Sequence, residues 1–195
     1  MKIIVLDTET TDKPPKIALL PGTVEMWPFM VQFSFVCMDT KTYKYTAYDY
    51  VIKTDADIEN DHIHGITKSM NTKIGYAFKD IYEIYKICLE SADMVIGHNL
   101  SFDLHMIRAE CYRNGLVYCP PRITYCTMMT TRYVCNLKNH KWPTLNELHV
   151  ALFHEDAENL HNSLRDCIVC LRCYLKLMSG IDILDKHKGL NNIQV

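Results

Sequence analysis

The sequence predicts an α/β fold, a mixed sheet flanked by helices. Three observations carry this expectation. Apolar runs in the first fifty residues read as strands. From Gly75 the hydrophobic period becomes helical. Short apolar strands then alternate with helices, giving the order β-β-β-α-β-α-β-α-α.

The first strand spans residues 2–7. Ile3, Ile4, Val5 and Leu6 make it apolar on both faces, as a central strand covered on two sides requires. Residues 29–38 form a second apolar run. Residues 43–52 form a third, in which Tyr43, Tyr45, Tyr48 and Tyr50 favour β structure. The short link at residues 40–42 makes the second and third strands a hairpin. Between the first two strands lies "DKPPKIALLPGTVEMWP", a Pro- and Gly-bearing loop of a length common in functional segments.

Phe78, Ile81, Tyr85 and Cys88 recur at helical spacing. A strand at residues 93–97 leads into a helix at residues 100–114, which Gly115 stops. Residues 122–126 read as a fifth strand. Thr144 starts a helix with Leu145, Leu148 and Leu152 on one stripe, and Glu147 completes a capping box. Leu164, Ile168, Leu171, Leu175 and Met178 form the core stripe of a last helix, which Gly180 ends. The expectation is one domain over residues 1–180 and a polar C-terminal tail at 181–195.

The 195 residues, 48% of them hydrophobic, suffice for one domain with a full core. A net charge of −2 argues against tight, sequence-independent wrapping of DNA. It leaves room for a nucleic-acid enzyme that brings its own cations. The 9 Cys are an odd number, Met1 leads straight into a strand, and no apolar run reaches membrane-spanning length. These features point to an intracellular, reducing (cytoplasmic) compartment, free thiols and no membrane partner.

Chemistry enters with "DTE". Residues i and i+2 of a strand face the same side, so Asp7 and Glu9 converge. Two close carboxylates repel and raise each other's pKa. A divalent cation removes that penalty, and hard oxygen ligands suit Mg²⁺ or Mn²⁺. An isolated "DTE" reads more simply as two side chains splayed into solvent. "VIGHNLSFDLHMI" adds Asp103 on a first helical turn, where the plain reading is a charge favoured by the helix dipole. "NLHNSLRDCIVC" adds His161 before a helix and Asp166 near its start. Each plain reading is credible alone. All of them together, in this order, are far less so.

With these strings the chain resembles the DEDD exonuclease superfamily, in its histidine-containing (DEDDh, DnaQ-like) branch. "DTET" at residues 7–10, "HNLSFD" at 98–103 and "HNSLRD" at 161–166 match its three motifs. "IHGIT" at 63–67 matches a segment that lines the nucleotide pocket, and "CTM" at 126–128 and "PTLNEL" at 143–148 fall where similar strings occur. Asp12 stands where the family often has Gly, and Ser163 where Ala is usual. The resemblance implies a ribonuclease H-like five-stranded mixed sheet flanked by helices. It also implies a metal-dependent 3′–5′ exonuclease that hydrolyses phosphodiester bonds from the 3′ ends of single-stranded DNA. Two Mg²⁺ or Mn²⁺ ions would act in line, releasing nucleoside 5′-monophosphates. Asp7 would bridge the metals. Glu9 and Asp166 would complete the site of the metal carrying the nucleophilic water. Asp103 would hold the second metal through water, and His161 would be the general base. Thr8, Thr10, His64, Asn99 and Phe102 would meet the terminal nucleotide. Two alternatives stay open: an exoribonuclease trimming RNA ends, and a proofreading subunit that binds a polymerase or replication partner. The oligomeric state is open too.

Three further features have bland readings. Cys167, Cys170 and Cys173 are interleaved with the last helix's stripe and read as core residues rather than ligands of an iron–sulfur cluster. His62 and His64 fit the nucleotide pocket better than a zinc site. Lys138, His140 and Lys141 form a small basic loop that could touch a phosphate strand.

Overall fold

Alternation along one central strand organises the molecule. The structure, a computed structural model, describes residues 1–180 and Asp182, so the expected tail lies almost wholly outside the described residues. The strands are β1 (Lys2–Thr10), β2 (Met30–Asp39), β3 (Tyr45–Val51), β4 (Met94–Gly97) and β5 (Thr124–Cys126). They form one sheet in the order β3-β2-β1-β4-β5. Pairing is antiparallel across β3, β2 and β1 and parallel across β1, β4 and β5, so the sheet is mixed as expected.

The helices are α1 (Asp61–His64), α2 (Lys68–Ile74), α3 (Phe78–Ser91), α4 (Leu100–Arg113), α5 (Thr127–Thr130), α6 (Leu145–Phe153) and α7 (Ser163–Ser179). Ile3 and Val5 of β1 join Val36 and Ile96 against Leu164, Cys167, Cys170 and Leu171 of α7. Ile4 and Leu6 face the other way, with Phe33 and Phe35, onto Tyr82 and Tyr85 of α3 and Met106 of α4. Cys173 turns instead toward α6, beside Leu148 and Val169. The three cysteines of α7 are thus spread over two apolar cores, and all nine cysteines are free thiols. No helix among the described residues is long and apolar enough to cross a membrane.

Several boundaries differ from the sequence reading, each for a physical reason. The first strand continues to Thr10 because β2 keeps pairing with it, Thr8 to Phe33 and Glu9 to Gln32, before the register shifts at Thr10. The hairpin turn is longer than residues 40–42. Tyr43 adopts a left-handed φ of 57° there, and Asp39 closes the turn by donating its N–H to the Lys44 carbonyl. Met178 is 53% exposed, not core, because α7 outruns the sheet and Leu175 is its last buried residue. The capping box at Thr144 and Glu147 forms as read, with both reciprocal hydrogen bonds present.

The long loop after β1 is ordered by one arginine. Arg113 Nη1 donates to the Pro28 carbonyl at 3.0 Å, and Nη2 donates to the carbonyls of Val24 and Trp27 at 2.8 and 2.6 Å. The guanidinium also lies 3.9 Å from the centre of the Phe29 ring. Its charge is met by Glu110 at 2.6 Å, and both side chains are less than a tenth exposed. Glu110 Oε1 accepts the Met30 N–H as well. Removing one partner of a buried ion pair strands the other charge. Arg113→Ala is therefore expected to cost about 3–5 kcal/mol in urea unfolding. A loss below about 1 kcal/mol, the range of exposed pairs, would contradict this account of the loop.

Candidate active site

The site begins where β4 stops. The last pair between β4 and β1 is Ile96 with Val5, so β1 runs on with that edge open. Gly97 permits the departure: a Cβ there would come within 3.2 Å of the Leu6 carbonyl and 2.9 Å of a Leu100 methyl. Helix α4 takes the vacated place. Thr8 donates both its N–H and its hydroxyl to Asp103 Oδ1, at 3.0 and 2.8 Å. Thr8 thus points to the α4 side, as even-numbered β1 residues must. Asp7 and Glu9 continue the opposite face, that of Ile3 and Val5, and meet the first turn of α7. There, carboxylate oxygens of Asp7, Glu9 and Asp166 all lie within 4.8 Å of one another.

Both acid-bearing helices are entered through left-handed residues, Asn99 at φ 64° and His161 at φ 69°. Asn162 caps α7 by accepting the Arg165 N–H, and the His161 N–H reaches Asp166 Oδ2 at 3.3 Å. The Ser163 hydroxyl donates to the Asp7 carbonyl at 2.6 Å, pinning the start of α7 to β1. Here the hydroxyl that stands in for the usual Ala makes a direct bond.

Burial and mutual repulsion govern the charges. Asp7 is raised well above the ordinary range, first by burial and then by Asp103, Asp166 and Glu9. Glu9 is pushed up to about 7 by burial and by Asp166. Burial pushes Asp103 up to about 8 against the opposing bonds from Thr8. Asp166 is raised to about 6 by burial, with the His161 N–H and nearby cations opposing. Asp166 Oδ1 is buried without a hydrogen-bond partner. An orphaned carboxylate oxygen beside two other acids is the environment a hard divalent cation satisfies, so the donor set fits one.

Glu9 also opens onto a cavity of about 540 Å³ lined by Thr10, Asn99, Phe102, Trp27, Ile63 and His105, among others. Phe102 is half-buried, with one side against the core and the other on the cavity. Trp27 and His105, which both line the cavity, stack on each other with centroids 5.6 Å apart. His64 is set back and buried. Its Nδ1 accepts the Ile66 N–H at 3.1 Å, so Nε2 carries the proton toward Asn60 Oδ1 at 3.2 Å. Asn60 in turn donates to the Thr10 carbonyl at 2.8 Å. His64 therefore meets the cavity through Asn60. The sequence reading missed Asn60, Trp27 and His105. His105 follows Phe102 at i+3, a helical spacing that marks a shared face. Trp27 sits in the loop whose length had already singled it out.

The chain belongs to the exonuclease family, whose RNase T model matches residues 4–174. No curated protein matches it significantly. Among solved structures it is similar to the zinc-bound E. coli ExoI–ssDNA complex, with a TM-score of 0.66 and 18% identity over 95% of this chain and 43% of that one. It is also similar to the nuclease domain of 3′hExo, a DEDDh family member bound to rAMP, with a TM-score of 0.66 and 14% identity over 93% of both chains. A 3′-exonuclease recognising a histone mRNA stem-loop matches with a TM-score of 0.72 and 12% identity, over 93% of this chain and 64% of that one. The chain thus spans less than half of the ExoI structure, and 62% of a full-length 3′-exonuclease that it also resembles. These likenesses establish the ribonuclease H-like fold.

The raised carboxyls set a stability prediction. A group whose folded pKa lies above its unfolded value stabilises the fold fully below the unfolded pKa and loses that contribution as pH rises through the folded one. For Asp166, Glu9 and Asp103 the folded values are about 6, 7 and 8. In chelator, Tm should therefore be lower at pH 8.5 than at pH 5.5. Added Mg²⁺ should raise it more at the higher pH. A chelated protein that melts higher at pH 8.5 would count against the cluster.

Proposed function

We propose that the chain is a metal-dependent 3′–5′ exonuclease acting on single-stranded DNA and releasing nucleoside 5′-monophosphates. The observation that carries this reading is the meeting of Asp7, Glu9 and Asp166 oxygens within 4.8 Å, at the edge of a cavity of about 540 Å³. That volume lies in the range of about 300–1,000 Å³ typical of small-ligand pockets and suits one nucleotide. Asp7, Glu9, Asp103 and Asp166 would hold two Mg²⁺ or Mn²⁺ ions. When bound, such ions polarise the phosphodiester, lower the pKa of water and stabilise the leaving oxygen.

The chain's own residues do the rest. The Thr8 hydroxyl and N–H hold Asp103 in place, and the Ser163 hydroxyl holds the Asp7 backbone. Phe102 and Trp27 offer apolar faces to the terminal base, and Thr10 and Asn99 offer polar groups to its sugar. His161 takes the proton from the attacking water on its imidazole. Its backbone tie to Asp166 keeps it beside the acids. Trimming of RNA 3′ ends is the second reading, favoured by the likeness to the 3′hExo nuclease domain bound to rAMP.

Asp7→Asn should remove several orders of magnitude of rate while leaving the melting profile folded, and chelator should abolish wild-type activity. Near wild-type turnover by Asp7→Asn would end the metal-site assignment. His161→Ala should lose about 10²–10⁴-fold in rate yet still bind metal. Loss of metal affinity would make His161 a ligand instead. Polarity is tested with 5′-labelled DNA and RNA single strands. The expected product is a ladder shortening from the 3′ side, blocked by a hydrolysis-resistant linkage at the 3′ terminus and not at the 5′ terminus. Early release of the labelled mononucleotide would mean the opposite polarity. Cutting of a closed circular strand would mean an endonuclease.

A further inference from the structure

Between α5 and α6 the chain exposes aromatic and basic side chains side by side. Tyr133 is 73% and Trp142 55% exposed. The other of the chain's 2 Trp, Trp27, is only 7% exposed. Bare rings of this size forgo the hydrophobic stabilisation that burial would give them. These rings are also organised around a cation. The Arg132 guanidinium lies 5.9 Å from the Tyr133 ring centre and 5.7 Å from that of Trp142. Arg132 Nε donates to the His140 carbonyl, and the His140 ring stands 5.5 Å from Tyr133. Exposed Lys138 and Lys141 add charge, Lys141 being paired with Glu147 at 2.6 Å.

The position of this segment gives the cluster its meaning. Pro143, next to Trp142, has its carbonyl 3.0 Å from His98 Nε2, and Thr127 Oγ1 lies 2.9 Å from His98 Nδ1. His98 directly precedes Asn99, which lines the nucleotide cavity. That cavity suits one nucleotide, so the rest of a strand must leave across the surface. The acidic cluster repels its phosphates, whereas residues 132–142 offer cations.

We propose that Arg132, Tyr133, Lys138, His140, Lys141 and Trp142 form a second contact surface for single-stranded nucleic acid, holding the nucleotides on the 5′ side of the terminal one. The inference rests on the exonuclease reading. The rings stack on unpaired bases, whose faces a duplex hides, and the cations meet phosphates. Stacking of this kind tolerates any sequence.

The test compares two substrates and one uncleavable probe. The substrates are a single strand of about twelve nucleotides and a nitrophenyl ester of a nucleoside 5′-monophosphate, which occupies the catalytic cavity alone. Tyr133→Ala and Trp142→Ala should each raise KM for the strand about five- to hundred-fold. Both should keep wild-type kcat on the strand and wild-type turnover of the ester. Lys138→Ala should lower the salt dependence of binding by about one unit of slope. Anisotropy of a labelled strand with a hydrolysis-resistant 3′ terminus measures the surface independently of turnover. Unchanged KM and unchanged anisotropy in both aromatic variants overturn the proposal. An equal loss on strand and ester also overturns it, because the segment would then be structural. A fall in mass by light scattering, with strand binding intact, would assign the face to a protein contact instead. Wild-type protein that binds the strand but cleaves neither substrate would sink the exonuclease reading and leave the binding surface standing.

Discussion

Four carboxylates are held close together against their own repulsion, and the rest of the molecule is arranged around that constraint. Asp7 and Glu9 share a face because β1 remains a strand to Thr10. Asp103 reaches the other side of β1 because β4 ends at Gly97 and lets α4 in. Asp166 arrives on the first turn of α7, which the apolar face of Ile3 and Val5 draws onto the sheet. The backbones that carry all four belong to β1, α4 and α7, elements packed into the core. Burial then lifts the pKa values of all four, with repulsion from neighbouring acids adding to it at Asp7, Glu9 and Asp103. Such strain persists only where the surrounding structure over-determines it, and that is a property of functional sites.

Much of this was legible in the chain because it depends on local rules. Period-two alternation put Asp7 and Glu9 on one face, and helical periodicity put Asp103 and Asp166 near helix starts. Strand and helix identities followed from patterns at least several residues long. What stayed hidden depends on partners distant in sequence. β1 continues past Asp7 only because Phe33 and Gln32 of β2 pair with it. Helices α1, α2 and α5 span four to seven residues, too short for periodicity to show. Met178 fits the stripe of α7 by spacing, yet spacing cannot tell where the sheet beneath it ends.

The cavity shows the same division. Phe102 and Asn99 belong to a motif readable in one dimension, whereas Trp27 joins them from a loop tied down by Arg113 over more than eighty residues of sequence. His64 acts at one remove, through Asn60 on the Thr10 carbonyl. A net charge of −2 is also reconciled with a polyanionic substrate. Divalent cations held at the acids, as proposed, would reverse the local field there, and the exposed segment that packs on His98 offers Arg132, Lys138 and Lys141.

The central proposal is that Asp7, Glu9 and Asp166, with Asp103 beside them, hold divalent cations where the terminal nucleotide is cut. The most direct measurement titrates Mn²⁺ into the protein with a nucleoside 5′-monophosphate present and follows free Mn²⁺ by electron paramagnetic resonance. The account predicts two ions bound per chain, with binding lost in a folded Asp7→Asn variant. Absence of bound Mn²⁺, or a stoichiometry unchanged by Asp7→Asn, would contradict it.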